Sequence, residues 1–372
     1  MKATICIITT VHPPFDTRIF HKEARTLARA GYEVTLIAQH SHNEVVDGVK
    51  ITGLPKPRNR FSRTFGLTWR AFRTALRQRA EVYHFHDPEL LPIGVLLKLF
   101  TRAKVIYDVH EDVPEQILTK HWIPALLRRP VAVVFNSLEK LLVRAADAVV
   151  VATEGIAEKF ASFNPVVVHN YPNLQMLPNP STERGGGEEK VLIYAGGITE
   201  LRGAREMVRA LEQLKPACDV ELHLIGKFEP PELERKLQAL PGYRRVRFLG
   251  WMKPENVYAH LAKADIGLVC LHPEPRFVVA LPVKLFEYMA AGLPVIASDF
   301  PLWKEIVEGS NCGLCVDPLD PQAIARAIEF LITHPEEARE MGENGRRAVE
   351  EKYNWEHEGE KLLALYDKLL SR

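Results

Sequence analysis

Leu281-Pro282-Val283-Lys284-Leu285-Phe286-Glu287-Tyr288-Met289-Ala290-Ala291-Gly292-Leu293-Pro294-Val295-Ile296-Ala297-Ser298 holds one full period of a repeating architecture. Pro282 suits the first turn of a helix, where its missing N–H costs nothing and its fixed φ is already helical. Gly292 and Pro294 stop that helix. The apolar run that follows, at 294–297, has the composition of a buried strand.

The same alternation extends outward in both directions. Strands are expected at 190–195, 220–225, 246–249 and 266–271 before this segment and at 313–316 after it. An earlier series is expected at 3–9, 33–38, 82–86, 104–109 and 148–152, with helical stretches between most members. Near-continuous apolar strands separated by helices mean a parallel sheet covered on both faces. Between the two series, Asn170-Tyr171-Pro172-Asn173-Leu174 runs through Pro178-Asn179-Pro180-Ser181 to Gly185-Gly186-Gly187, which has the composition of a linker. The expected class is therefore α/β, with two tandem Rossmann-like, doubly wound parallel-sheet domains facing across a cleft. Residues 1–172 form the first and 173–355 the second. A last helix at 356–372, after the aromatic corner of Tyr353 and Trp355, is expected to cross back onto the first.

Composition agrees. At 372 residues, 47% hydrophobic and 26% charged, the chain is long enough for two sizeable cores and is neither disordered nor disulfide-stapled. A formal net charge of +1 excludes a whole-protein electrostatic grip on nucleic acid. The five cysteines are odd in number and sit mostly in strand-like runs, as buried thiols do in a reducing compartment. Cys312 and Cys315 form a lone C-x2-C without a second pair, so strand packing is preferred to a metal site. The first apolar run is too short for a signal segment, and no run approaches the ~20 apolar residues of a spanning helix. A cytoplasmic protein is expected, at the inner face of the membrane if it docks there.

Ligands of open parallel sheets bind beyond the carboxyl ends of the strands. Gly196-Gly197-Ile198-Thr199-Glu200-Leu201-Arg202-Gly203 follows one such end and leads into a helix. Glycines let backbone N–H groups approach a phosphate, and Arg202 adds a fork of donors. The plain alternative is a tight turn beside a surface arginine. Lys284 and Glu287 share a helical face; they suit a phosphate and the two hydroxyls of a ribose, or else form a surface ion pair.

These segments, with Gly226 after Leu222-His223-Leu224-Ile225, Val246-Arg247-Phe248-Leu249-Gly250 and Ala264-Asp265-Ile266-Gly267-Leu268, together resemble glycosyltransferase family 4 over essentially the whole chain. The resemblance implies the GT-B fold and retention of anomeric configuration, with an N-terminal acceptor domain and a C-terminal nucleotide-sugar domain. It implies that Glu287 binds the donor ribose and Arg202 the diphosphate. Gly196, Gly197, Gly226, Met252, Leu281 and Lys284 complete the expected donor site, with Arg202 and Lys284 also stabilising the departing diphosphate. Two positions depart from the family pattern. Val279 stands where the first acid of Glu-x7-Glu contacts the donor sugar, and Gly197 stands where an arginine is usual. Sugar contacts are then expected from backbone N–H groups around 279–281 or from Lys284.

In the first half, His110 ends the strand Val105-Ile106-Tyr107-Asp108-Val109, where the family keeps an active-site histidine. It is expected to act on the sugar or the acceptor, as a side chain easily poised near neutral pH. Asp16, Arg18 and His21, in the loop after the first strand, and His86 are expected acceptor contacts, with Asp16 as a helix cap the competing reading. His84 and His86 alternate on a strand and share a face, but as a metal pair they lack a third ligand. No metal or cofactor is expected beyond a UDP- or GDP-sugar cosubstrate.

Residues 56–80 carry Lys56, Arg58, Arg60, Arg63, Arg70, Arg73, Arg77 and Arg79 and no acid, with Phe65, Trp69, Phe72 and Leu76 at helical spacing. Such a helix either lies on an anionic bilayer and presents a lipid-linked acceptor or packs its aromatic stripe on the sheet. The function expected is sugar transfer to a glycan or lipid-linked acceptor in surface polysaccharide or glycoconjugate synthesis. A GT-B nucleotide-sugar epimerase and a non-catalytic nucleotide-sugar-binding module are the alternatives.

Overall fold

Alternation along each strand decides how the sheets are covered. The computed structural model describes residues 2–371 except 60, 61, 111, 121, 122, 178–188 and 217; the Pro/Gly-rich part of the expected linker and Arg60 fall outside the described residues. The chain divides into two compact units, Met1–Asn170 with Trp355–Arg372, and Tyr171–Asn354.

In the first unit the strands are β1 (Thr4–Ile8), β2 (Glu33–Gln39), β3 (Glu44–Val46), β4 (Val49–Leu54), β5 (Val82–Phe85), β6 (Lys104–Val109), β7 (Ala148–Val151) and β8 (Val166–Val167). They lie in the order β3-β4-β2-β1-β5-β6-β7-β8, parallel except for β3 against β4. Cys6 and Ile8 of β1 point into one core with Ala71, Phe72 and Leu97. Ile5 and Ile7 point into the opposite one with Leu27, Leu362 and Tyr366. The period-two side-chain geometry of a strand thus feeds both layers, and the helix Trp355–Leu370 supplies part of the second. Its attachments are polar as well: Tyr32 Oη donates to Asp367 at 2.7 Å and Trp355 Nε1 to Thr26 Oγ1 at 2.9 Å.

In the second unit β9 (Lys190–Ala195), β10 (Val220–Ile225), β11 (Val246–Gly250), β12 (Ile266–Val269), β13 (Val295–Ser298) and β14 (Gly313–Val316) form an all-parallel sheet in the order β11-β10-β9-β12-β13-β14. Every strand expected from the sequence is present. The sequence reading did not include the hairpin β3–β4, although its turn carries a plain signal: Asp47 and Gly48 adopt φ of 51° and 80°, the paired positive values that favour Asp-Gly in a two-residue hairpin loop.

The aromatic stripe at 56–80 does not stay on one face. A π-helical turn, Ser62–Leu67, leads into the helix Thr68–Gln78. Leu67, Ala71, Phe72 and Ala75 are buried, whereas Phe65 is 61% and Trp69 51% exposed. Trp69 lies on the solvent side with Arg70, Arg73 and Arg77.

The C-terminal helix is also held by charge. His169 N donates to Glu358 Oε2 at 2.8 Å, and its ring lies 3.3 Å from Glu358 and 2.9 Å from Glu154. Burial works against the charge on His169, but the two carboxylates outweigh it and raise its pKa, while both carboxylates are lowered. The His169 contribution is complete below the unfolded value of about 6.5 and is lost as pH rises through the raised folded pKa; the Glu358 contribution is lost as pH falls through its lowered pKa. Glu358→Gln is therefore expected to destabilise the first unit by about 1–3 kcal/mol near pH 6, with the deficit narrowing at both pH extremes. Thermal melts of both proteins across pH check this, and a pH-independent deficit contradicts it.

Candidate functional site

The carboxyl end of β9 opens into Gly196 and Gly197. Thr199 Oγ1 accepts the N–H of Arg202 at 3.1 Å, shaping the turn Glu200–Arg202 that precedes the helix Ala204–Gln213. Gly196 has φ 134°, and a Cβ there would meet Lys284 Nζ at 2.9 Å; one on Gly197 would meet Arg202 Nη1 at 2.8 Å. Gly226, at the end of β10, has φ 149°, and its Cβ would fall 1.8 Å from the Gly196 carbonyl oxygen. Hydrogen bonds from Gly196 N to Ile225 O and from Gly226 N to Gly250 O, both 2.9 Å, tie these strand ends together.

Lys284 sits in the first turn of the helix Val283–Ala290. Its Nζ lies 3.7 Å from the centre of the Tyr194 ring and is enclosed without a hydrogen-bond partner among the described residues. Burial, and then the Arg202 charge, hold its pKa well below that of an ordinary lysine, with Glu287 acting in the opposite sense. Arg202 Nη1 donates to Gly197 O at 3.4 Å. Glu287 Oε1 accepts from the hydroxyl of Tyr258 at 3.3 Å. The structure therefore brings Gly196, Gly197, Arg202, Lys284 and Gly226 to one rim of the sheet, with Glu287 one helical turn beyond Lys284.

Met252 is half-buried against the core just past Gly250, beside Trp251, whose ring lies 5.5 Å from Lys227 Nζ. Leu281 is half-buried, and the preceding carbonyl, of Ala280, accepts from Trp303 Nε1 at 2.7 Å; this anchors the loop that carries Val279. Tyr194, the cation–π partner of Lys284, and Tyr258 did not emerge from the sequence reading. Nothing in their local sequence separates them from core tyrosines.

The first unit holds a second polar cluster. Arg18 Nη2 bonds both oxygens of Asp108 at 3.1 and 3.2 Å, Nη1 donates to Val168 O at 2.7 Å, and Nε lies 2.8 Å from Glu23. His86 Nδ1 and His110 Nε2 are 2.7 Å apart. Arg18 and His86 are each only 3% exposed. Arg18 and His86, expected to contact an acceptor, are instead turned inward: Arg18 pairs with Asp108 and Glu23, and His86 Nδ1 faces His110. His110 is largely buried at the strand end, and burial together with the charges of Arg18 and His12 outweighs Asp108 and draws its pKa down to about 3. This environment favours the neutral imidazole.

Asp16 acts as a cap, its Oδ1 accepting from the N–H groups of Arg18 and Ile19 at 2.9 and 3.0 Å. Burial raises its pKa, but His12 and these N–H groups outweigh that and leave it at about 2. His21 is half-exposed beside Phe20. A cavity of about 800 Å³ next to this loop is lined by His12, Gln39, His40, Lys56 and Arg70, among others. Asp87, which accepts from Thr9 and from the N–H of Val11 at 2.9 and 3.2 Å, holds the loop to β5.

Residues 17–173 match the family model of the glycosyl transferase 4-like domain, and residues 189–334 that of glycosyl transferases group 1. The chain is 25% identical over 330 residues to the MMP alpha-(1->4)-mannosyltransferase of Mycolicibacterium hassiacum, covering 86% of this chain and 77% of that one. It is 23% identical over 395 residues to glycogen synthase of Mycobacterium tuberculosis, covering 95% and 91%. Among solved structures, sucrose-phosphate synthase from Thermosynechococcus elongatus superposes with a TM-score of 0.80 at 21% identity over the full length of both chains. Anabaena HepE in complex with UDP and glucose gives 0.73 at 15% identity, over 98% of this chain and 100% of that one. The fold is that of the GT-B glycosyltransferases. This chain is one of them, an enzyme that transfers sugars, with a glycosyl transferase 4-like domain followed by a group 1 domain.

Gly226→Ala is expected to cost on the order of 1–3 kcal/mol from backbone strain alone, with the collision at Gly196 O adding to it. Urea unfolding followed by Trp251 and Trp303 fluorescence reads the loss; wild-type stability in the variant would contradict the packing described.

Proposed function

We propose that this enzyme is a retaining transferase of family 4 that moves a sugar from a UDP- or GDP-sugar to a glycan or lipid-linked acceptor in surface polysaccharide or glycoconjugate synthesis. The observation that carries the reading is the enclosed, unpartnered ammonium of Lys284 beside Arg202. A buried cation without an acceptor is costly unless an anion completes it, and the missing side chains at Gly196 and Gly197 let both cations lie close against the backbone of the turn. The complex of HepE with UDP and glucose, on the same fold, is consistent with such a ligand.

In this reading Arg202, Lys284 and the N–H groups of the glycine turn hold the diphosphate, and Glu287 holds the ribose. Gly226 gives the nucleotide close access to the strand ends, and Met252 lies beside the base. Leu281 and the backbone N–H groups around 279–281 serve the sugar in place of the acid missing at Val279. His110, kept neutral, offers a hydrogen bond to the sugar or acceptor. The acceptor hydroxyl attacks the anomeric carbon on the face that the nucleotide leaves. The new C–O bond forms as the bond to the diphosphate breaks; the electron pair goes to the leaving phosphate oxygen, which takes the acceptor's proton. No protein nucleophile and no metal enters this step. Positioning and stabilisation of the departing charge supply the catalysis.

The acceptor side of the proposal rests on the first unit. The cavity near Asp16 and His21 is lined by Lys56 and Arg70 of the basic segment, and the exposed Phe65 and Trp69 accompany Arg70, Arg73 and Arg77. This is the surface of a helix that lies on anionic lipid at the inner face of the membrane. The contact proposed is peripheral; among the described residues no helix is long and apolar enough to cross a membrane. Trp69→Ala with Arg73→Glu is expected to abolish co-sedimentation with phosphatidylglycerol vesicles; equal binding by wild type and variant would remove this surface from the proposal.

Glu287→Ala is expected to weaken UDP or GDP binding by about 1–3 kcal/mol, measured by calorimetry, and unchanged affinity for both would refute the ribose role. A bound diphosphate favours the charged form of Lys284 and raises its lowered pKa. Affinity is therefore greatest below the free-state pKa and weakens as pH rises through it. Titrations at alkaline pH in buffers of different ionisation enthalpy should show proton uptake on binding, lost in Lys284→Met.

A further inference from the structure

We propose that Glu23, His84, His86 and Asp108 bind one divalent cation of the zinc class inside the first unit. One donor atom from each of the four lies within 4.8 Å of the other three, and all four residues are buried. His84 Nε2 is 3.4 Å from Asp108 Oδ2, and His86 Nε2 is 3.4 Å from Glu23 Oε2. A tetrahedral ion with ligand bonds of roughly 2.0–2.1 Å sets its donors roughly 3.3–3.4 Å apart. Those separations are too long for good hydrogen bonds, and among the described residues both histidine Nε2 atoms and Glu23 Oε2 lack a well-formed hydrogen bond, while Glu23 Oε1 is ion-paired with Arg18. Buried polar atoms are rarely left so.

The outer atoms of the same residues are engaged as they would be around a metal. His84 Nδ1 lies 2.8 Å from the Tyr366 hydroxyl and His86 Nδ1 lies 2.7 Å from His110 Nε2; with each Nδ1–H donating to these partners, each Nε2 lone pair would face the centre. Arg18 backs both carboxylates, Nε against Glu23 Oε1 at 2.8 Å and Nη2 against Asp108. One guanidinium faces two enclosed carboxylates, and a divalent cation would supply the positive charge that a single arginine does not. Two imidazoles with two carboxylates at this spacing suit zinc, with manganese and ferrous iron the next fits.

The bound ion would cross-link β5, β6 and the helical turn Ile19–Ala24. It would also fix His86 as the Nδ1–H tautomer, donating to His110 Nε2; only this last consequence rests on the role proposed for His110. The nucleotide site in the second unit takes no part, so failure of one proposal leaves the other standing.

The test is metal content of the full chain, purified without chelator and, in a parallel sample, produced in cobalt-supplemented medium. The expected result is one ion per chain, retained through dialysis, with the visible bands of four-coordinate cobalt in the second sample. It should persist in His40→Ala/His42→Ala, which removes the half-exposed trio His40, His42 and Glu44. It should be lost in Glu23→Gln, a near-isosteric change whose fold is checked by circular dichroism. A metal-free wild type without cobalt bands would overturn the proposal, as would an ion lost with the His40/His42 pair or kept by a folded Glu23→Gln.

Discussion

Two cationic side chains from distant segments, Arg202 and Lys284, converge on one pair of glycines, and the candidate donor site is organised by that repulsion. The Lys284 ammonium has left water for the face of Tyr194 and a neighbouring guanidinium. A cation–π contact recovers only part of the lost solvation. What makes the arrangement tolerable is the rigidity around it, since the strand ends are tied through Gly196, Gly226 and Gly250 and the Lys284 helix is packed into the core through Leu285, Phe286 and Tyr288. The sheet holds the charges where a dianionic ligand would relieve them.

The first unit concentrates polarity differently. Ionisable side chains are buried together where β5 and β6 run side by side: His84 on β5, His86 just beyond it and Asp108 on β6, with His84 against Tyr366 of the C-terminal helix. Arg18 and Glu23 reach the same place from the turn after β1. Burying so many ionisable groups is costly unless each finds a partner. The Arg18–Asp108 contacts meet part of that need, and they leave Arg18 unable to serve a ligand in solvent.

Much of this was legible in the amino-acid order. Apolar strand runs, the Gly-x-Pro stop after the Lys284 helix and the Gly196–Gly197 turn are local features, and they specify a doubly wound α/β protein because backbone preference and side-chain period act over a few residues. The Asp47-Gly48 hairpin was equally local and was passed over. The stripe at Phe65, Trp69, Phe72 and Leu76 misled because a π-helical turn before Thr68 and the rotation of the helix on the sheet put Trp69 with the arginines. Spacing puts residues on neighbouring positions of a helix, and packing decides which of them meet the sheet and which meet solvent.

By itself, then, the chain order determined the succession of strands and helices, the two-sheet plan and the candidates Arg202, Lys284 and Glu287. Tertiary structure alone decided that Lys284 turns to Tyr194 and that Arg18 and His86 point inward. It also decided that Glu23 and Asp108 join the two histidines. The reason is physical: enclosure and partnership are properties of register and packing, which bring His86 to within 3.9 Å of Asp108, and no span of consecutive residues carries that information.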